Sequence, residues 1–158
     1  MVLQALQRDA SLEYGVWGDG EGYAGTNEAH GLHVVHPAAG GVDVMPLDGS
    51  ASWTTGLRLA GLAADGNAVA LPSATSVDAT GNRVETLYAD GSGPVISEWY
   101  VHGPLGVEQG FTVHRAMDAD QLAVTVGVVG ALRAEQAEAG RAVLVVASDR
   151  IAAYFPRA

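Results

Sequence analysis

Apolar and polar residues alternate along most of this chain. In the stretch Trp53–Leu59, the residues Trp53, Thr55, Leu57 and Leu59 fall on one face, and in Leu122–Val128 the residues Leu122, Val124, Val126 and Val128 do the same. A period of two is the signature of a strand with one face buried. Shorter runs read likewise: Ser11–Trp17, Gly31–His36, Val42–Met45, Arg83–Tyr88, Ile96–His102, Val107–Arg115 and Ala142–Ala147. Turn chemistry separates them at Gly40-Gly41, Asp48-Gly49, Asp65-Gly66-Asn67, Thr80-Gly81-Asn82 and Asp90-Gly91. Asp-Gly supplies the positive φ that tight hairpins require. The pattern predicts an all-β fold, an antiparallel β-sandwich of about nine short strands with little helix. The two segments that favour helix, Val2–Gln7 and Ala131–Glu138, are short enough to be marginal alone. The Ala- and Gly-rich stretch Ala60–Thr80 gives the weakest strand signal.

Composition narrows the function more than it names it. At 158 residues the chain has the size of one domain, taken as 1–158. Its 8 cationic residues are all Arg, against 18 Asp and Glu, and the net charge is −10. Such a surface repels nucleic acid and anionic lipid, so neither is an expected partner. Without Lys there is no Schiff-base chemistry, and without Cys no disulfide, thiolate metal site or Cys nucleophile. The longest nearly apolar run, Leu122–Leu132, has 11 residues, against about 20 for a spanning helix, so membrane insertion is not expected. The opening MVLQALQRDA lacks the charged and apolar regions of a signal peptide.

The candidate chemistry is sparse. His30, His33 and His36 are spaced three apart, which on a strand sends His33 to the face opposite the other two. They read as surface or strand-end histidines, and no metal or other cofactor is expected. The acidic run Gly18-Asp19-Gly20-Glu21-Gly22 lacks calcium-loop spacing and reads as a solvated hairpin loop. None of the eight serines lies in a G-x-S-x-G elbow. If the segments around Glu85 and Glu98 pair as a hairpin, Arg83, Glu85, Glu98 and His102 come together. Two such carboxylates are what a glycosidase uses, but a cross-strand ion-pair network is the stronger reading. Trp99 and Tyr100 alternate faces, so one is core and the other exposed or at a rim. Glu108 and Gln109, between glycines, are placed to anchor a backbone corner, with Trp99 or Phe111 packed deeply beside it.

The runs Asn82-Arg83-Val84-Glu85, Glu98-Trp99-Tyr100 and Gly103-Pro104-Leu105-Gly106-Val107-Glu108-Gln109-Gly110-Phe111-Thr112 carry a resemblance. They are similar to the β-rich module that precedes FG-GAP, integrin-like β-propeller repeats in secreted bacterial proteins of the myxobacterial type. The match is specific over 82–112, with Thr86 and His102 standing where that pattern has Tyr and Asn. The resemblance implies an extracellular or cell-surface setting and brings no catalytic residues. The expectation is a non-catalytic structural or adhesion-type module, not an enzyme, whose partner is a protein or another copy of itself. The alternatives are a carbohydrate-binding module and a self-assembling subunit, a filament or strand-exchange protein. The residues expected at a ligand site or interface are Trp17, Trp53, Trp99 and Tyr100; Arg83, Glu85, Glu98, Glu108 and Gln109 form the expected structural corner.

Overall fold

The computed structural model describes residues 10, 13–49, 53–137, 142–147 and 150–156. In chain order its strands are β1 (Val16–Asp19), β2 (Gly22–Asn27), β3 (Leu32–His36), β4 (Val42–Pro46), β5 (Thr55–Ala64), β6 (Asn67–Val69), β7 (Ala74–Thr80), β8 (Arg83–Asp90), β9 (Gly93–Gly103), β10 (Gly106–Val113), β11 (Leu122–Gly130), β12 (Arg133–Ala137), β13 (Ala142–Ala147) and β14 (Arg150–Pro156). One 3-10 turn, Glu28–His30, links β2 to β3. The larger sheet runs β1-β2-β3-β4-β5-β11, with β6 also paired to β5; a second runs β10-β9-β8-β7; a third runs β12-β13-β14. Every pairing is antiparallel. The fold is the all-β sandwich that the alternation predicts.

Two clusters join the larger sheet to the second. Val34, Val42 and Leu57 from β3, β4 and β5 meet Tyr100 of β9. Leu62 of β5 meets Tyr88, Val95 and Ile96 of β8 and β9. Strand β9 is therefore central, and Val95, Ile96, Ser97, Glu98, Tyr100 and His102 along it are all buried.

Fourteen strands exceed the expected nine because several short ones carry no alternation. Ala60–Thr80 supplies the end of β5 and all of β6 and β7. Strand β2, GYAGTN, is too small and polar to announce itself. The expected helix Ala131–Glu138 is corrected over its described residues: Arg133–Ala137 is β12, laddered to β13. A lone run of helix formers this short has no stable nucleus, and the neighbouring strand supplies backbone partners instead. The expected helix Val2–Gln7 lies outside the described residues.

One irregularity sets which face of β9 each side chain takes. The β8–β9 hairpin starts with Asp90 opposite Gly93 and Ala89 opposite Pro94, but Tyr88 then stands opposite Ile96. Val95 is an extra residue, a β-bulge that advances the register by one. Had the pairing run on regularly from Ala89–Pro94, Val95 would stand opposite Tyr88 and Glu85 opposite Glu98; with the bulge Glu85 faces Trp99 and Glu98 faces Thr86. A one-residue slip sends a side chain to the opposite face. The expected grouping of Arg83, Glu85, Glu98 and His102 is thus corrected: Glu98 and His102 point between the sheets, Arg83 and Glu85 outward.

The segment 98–112 is also a plain hairpin, not a corner. Pro104 and Leu105 form its two-residue turn, and Gly110 lies opposite Trp99. A Cβ on Gly110 would collide with the Trp99 ring, so close approach requires glycine there. Neither Trp99 nor Phe111 is deeply packed; both are half-buried, and among the described residues Tyr100 and Ile96 are the largest fully buried side chains. Ile96→Ala should therefore cost about 2–5 kcal/mol, and Phe111→Ala clearly less, in urea unfolding. Equal losses would show that β10 is buried more deeply than this packing allows.

Candidate functional site

The inward face of β9 carries a column of polar side chains, built from Glu98, Tyr100 and His102. Glu98 is fully buried, and donors converge on it from both sheets. Its Oε1 accepts from the Tyr100 hydroxyl at 2.6 Å and from Gln109 Nε2 at 2.8 Å. Its Oε2 accepts from the Tyr88 hydroxyl and from the Gly41 amide, each at 3.1 Å. Gln109 also donates to the Tyr100 hydroxyl at 3.0 Å. A carboxylate has about four lone-pair sites, so the set is complete. Burial first, and then the facing carboxylate, push the Tyr88 and Tyr100 phenols up.

The Gly41 donor depends on its turn. Gly40 and Gly41 both have positive φ, at 88° and 84°, a conformation that only glycine adopts without penalty. A Cβ on Gly40 would strike the Tyr88 hydroxyl, and one on Gly41 the Leu57 carbonyl. The Gly-Gly pair thus delivers a backbone amide across the sandwich.

The other half of the column is a histidine pair. His36 of β3 and His102 of β9 are both fully buried, with their Nε2 atoms 2.8 Å apart. The His36 ring also lies 4.9 Å from the Tyr100 ring, centroid to centroid. One Nε2 must carry the shared proton and the other accept it. Both Nδ1 atoms lack any hydrogen-bond partner. With the two rings neutral, one Nδ1 is an orphan acceptor and the other an orphan N–H. Burial, then the neighbouring His102, lower the His36 pKa to about 3, against a weaker raising effect of the Gly41 backbone. Burial lowers that of His102 to about 4. Asn27 and Asn82 seal the end of the column: Asn27 Nδ2 donates to the Gly103 carbonyl at 2.8 Å, and Asn82 Nδ2 to the His102 carbonyl at 2.5 Å.

The outward face holds a second cluster. Ser97 Oγ donates to Glu85 Oε1 at 2.6 Å and meets His114 Nε2 at 2.9 Å. Arg83 pairs with Glu85 at 3.0 Å and lies over the Trp99 ring, 4.6 Å from its centroid. The Ser97 hydrogen bond is the main cause of a lowered Glu85 pKa, with Arg83 and His114 adding to it and burial opposing. The constellation contains the residue types of a Ser–His–acid triad but is wired differently. The carboxylate binds the serine instead of orienting the histidine, and the serine has one proton, so His114 is the donor in their contact. Ser97 is also fully buried.

The residues expected from sequence are thus dispersed. Tyr100 is core, not an exposed ligand contact. Trp17 is 47% exposed on β1, Trp53 is half-buried ahead of β5, and one face of Trp99 holds Arg83. Gln109 anchors the column, whereas Glu108 lies opposite Val101 on the outward face. His36 stands at the end of β3 but is buried, not at the surface; His33 is half-buried, and His30 bonds the Pro104 carbonyl through Nε2 at 2.9 Å. The run Gly18–Gly22 is a hairpin turn between β1 and β2. Tyr88, Ser97, His114 and Asn27 carry no signal of a site in the sequence, and Gly41 stands out there only as a turn residue. Among the described residues no three His, Asp or Glu side chains converge as a metal set.

The histidine pair makes stability depend on pH. Both pKa values are lower when folded than the ordinary 6.5, so the unfolded chain binds more protons between pH 6.5 and about 4. The stabilisation is complete above 6.5 and is lost as pH falls through that window, by up to about 1.4 kcal/mol per pH unit for each histidine. Urea unfolding from pH 7.5 to 4.5 should show this decline, and His36→Gln/His102→Gln should flatten it. A flat profile for the parent chain would mean that the pair is hydrated or already charged when folded.

No family model, curated protein or solved structure matches this chain.

Proposed function

We propose that this chain is a non-catalytic structural or adhesion-type β module of an extracellular or cell-surface protein, acting through its surfaces on a protein partner or on a second copy. The observation that carries this reading is the fate of its polar side chains. Glu98 is enclosed by four donors without a solvent-facing lone pair left for a substrate. Ser97, the one serine seated beside both a histidine and a carboxylate among the described residues, is covered and has its proton committed to Glu85. Groups arranged in this way specify a unique packing; they do not wait for a reactant. The extracellular setting is supported by the resemblance of 82–112 to the propeller-associated module. A carbohydrate-binding reading is supported by Trp17 alone, whose half-exposed ring offers one stacking face.

Glu98→Gln separates structure from chemistry. The amide replaces one acceptor oxygen with a donor facing other donors, so the variant should lose about 1.5–3 kcal/mol in urea unfolding. Parent and variant should behave alike toward a panel of aryl glycosides and esters and toward soluble glycans. A variant that melts like the parent but loses a hydrolytic rate or a glycan affinity would overturn the structural reading.

A further inference from the structure

We infer that β11 is a self-association edge, at which two copies of this chain join their larger sheets by antiparallel β11–β11 pairing about Val126. The inference rests on the reading above and deepens it by naming the second copy as the partner; a monomer would overturn it while leaving the Glu98 column, and so the structural role, untouched.

Strand β11 closes one side of the larger sheet, and β5 is its sole partner among the described strands. The ladder's one irregularity places Thr125 opposite Gly61 and Val126 opposite Leu59, so the extra residue, Ala60, belongs to β5. Strand β11 itself is regular over nine residues. At its ends the Ala131 amide donates to the Thr54 carbonyl, and the Asp65 amide to the Gln121 carbonyl, each at 2.9 Å. Odd-numbered residues therefore turn their backbone groups toward β5. The even-numbered ones, Leu122, Val124, Val126, Val128 and Gly130, turn theirs away from the sheet. An edge of that kind is a template for another strand, and proteins ordinarily blunt it with charge, proline or a bulge. The outermost strands β1, β7 and β10 carry Asp19, Asp78 and Glu108; β11 carries no charged residue or proline.

The occupant follows from symmetry and charge. Two chains of net charge −10 repel each other, and the uncharged run Leu122–Leu132 is where they approach at least cost. Pairing Val126 with its own copy sets Val124 opposite Val128 and Leu122 opposite Gly130, so all five outward-facing residues find partners, through about ten hydrogen bonds. The pairing is isologous and closes as a dimer.

Light scattering and amide hydrogen exchange on the full chain, dilute and concentrated, test this. The expected result is a mass rising to that of two chains. The amides of the five even-numbered residues should exchange at least tenfold more slowly when concentrated, with those of Ala123, Thr125, Gly127 and Val129 unchanged. Val126→Pro should be monomeric with the parent's circular dichroism, because the N–H it removes points away from β5. If Val126→Pro does not fold, the alternation of exchange in the parent decides. A chain that stays single at high concentration, even-numbered amides whose exchange ignores concentration, or a dimer that survives in folded Val126→Pro would each overturn the inference. A single chain whose even-numbered amides become protected only with a foreign β-strand peptide would assign the edge to another protein, and so overturn it as well.

Discussion

A carboxylate buried between two sheets tolerates no vacancy in its hydrogen bonding, and Glu98 is such a group. Its donors come from β8, β9 and β10 in one sheet and from the β3–β4 turn in the other. Each donor exists only if its strand is in register and the sheets are correctly seated. An unmatched lone pair here would cost on the order of 1–3 kcal/mol, more if charged, a sizeable share of a typical domain's net stability. The surrounding Tyr88, Tyr100 and Ile96 supply apolar area, but apolar contact is tolerant of small slips. The Glu98 bonds are directional, and they select one arrangement from many that would bury similar area.

The histidine pair beside it obeys the same chemistry and reaches a different balance. Its two Nδ1 atoms are left without partners, so the column is complete at one end and incomplete at the other. The complete end has a donor for each lone pair. The incomplete end stores a penalty that grows with proton activity. A core built in this way is rigid near neutrality and carries its weakness at a single place, where β3 meets β9.

The strands with large alternating side chains were legible in sequence: β3, β4, β5, β8, β9, β10, β11 and β13 all correspond to runs of period two. The Asp-Gly and Gly-Gly turns were legible for the same reason, since their φ demands leave a mark on residue choice. Strands β2, β6 and β7 were obscure because small and polar residues satisfy a ladder without an alternating face. Strand β12 was misread because its intrinsic preference was overridden by a neighbouring strand. Of the site, Glu98, His102, Arg83 and Glu85 were all noticed, yet sorted into one group where the molecule makes two. The cause is Val95. A bulge leaves no compositional trace when the extra residue is itself a strand former, so parity counted from the turn is wrong for every residue beyond it. Glu108 and Gln109 read alike as anchors and only Gln109 reaches the column, for a related reason: which of two adjacent polar residues points inward depends on register, not on type.

The bulge also sets how this hairpin tolerates the different kinds of genetic change. Point substitutions leave the count of residues intact and are judged one side chain at a time. Loss of one codon is another matter, and its outcome depends on where it falls. Removing Val95 closes the ladder from Ala89–Pro94 straight onto Tyr88–Ile96 and leaves Glu85 opposite Trp99 and Glu98 opposite Thr86, whereas removing a residue farther along β9, where none is spare, turns the residues on one side of the gap to the opposite face. The bulge is thus slack in the count, a point where this hairpin can lose a residue while the inside and outside of β8, β9 and β10 stay as they are.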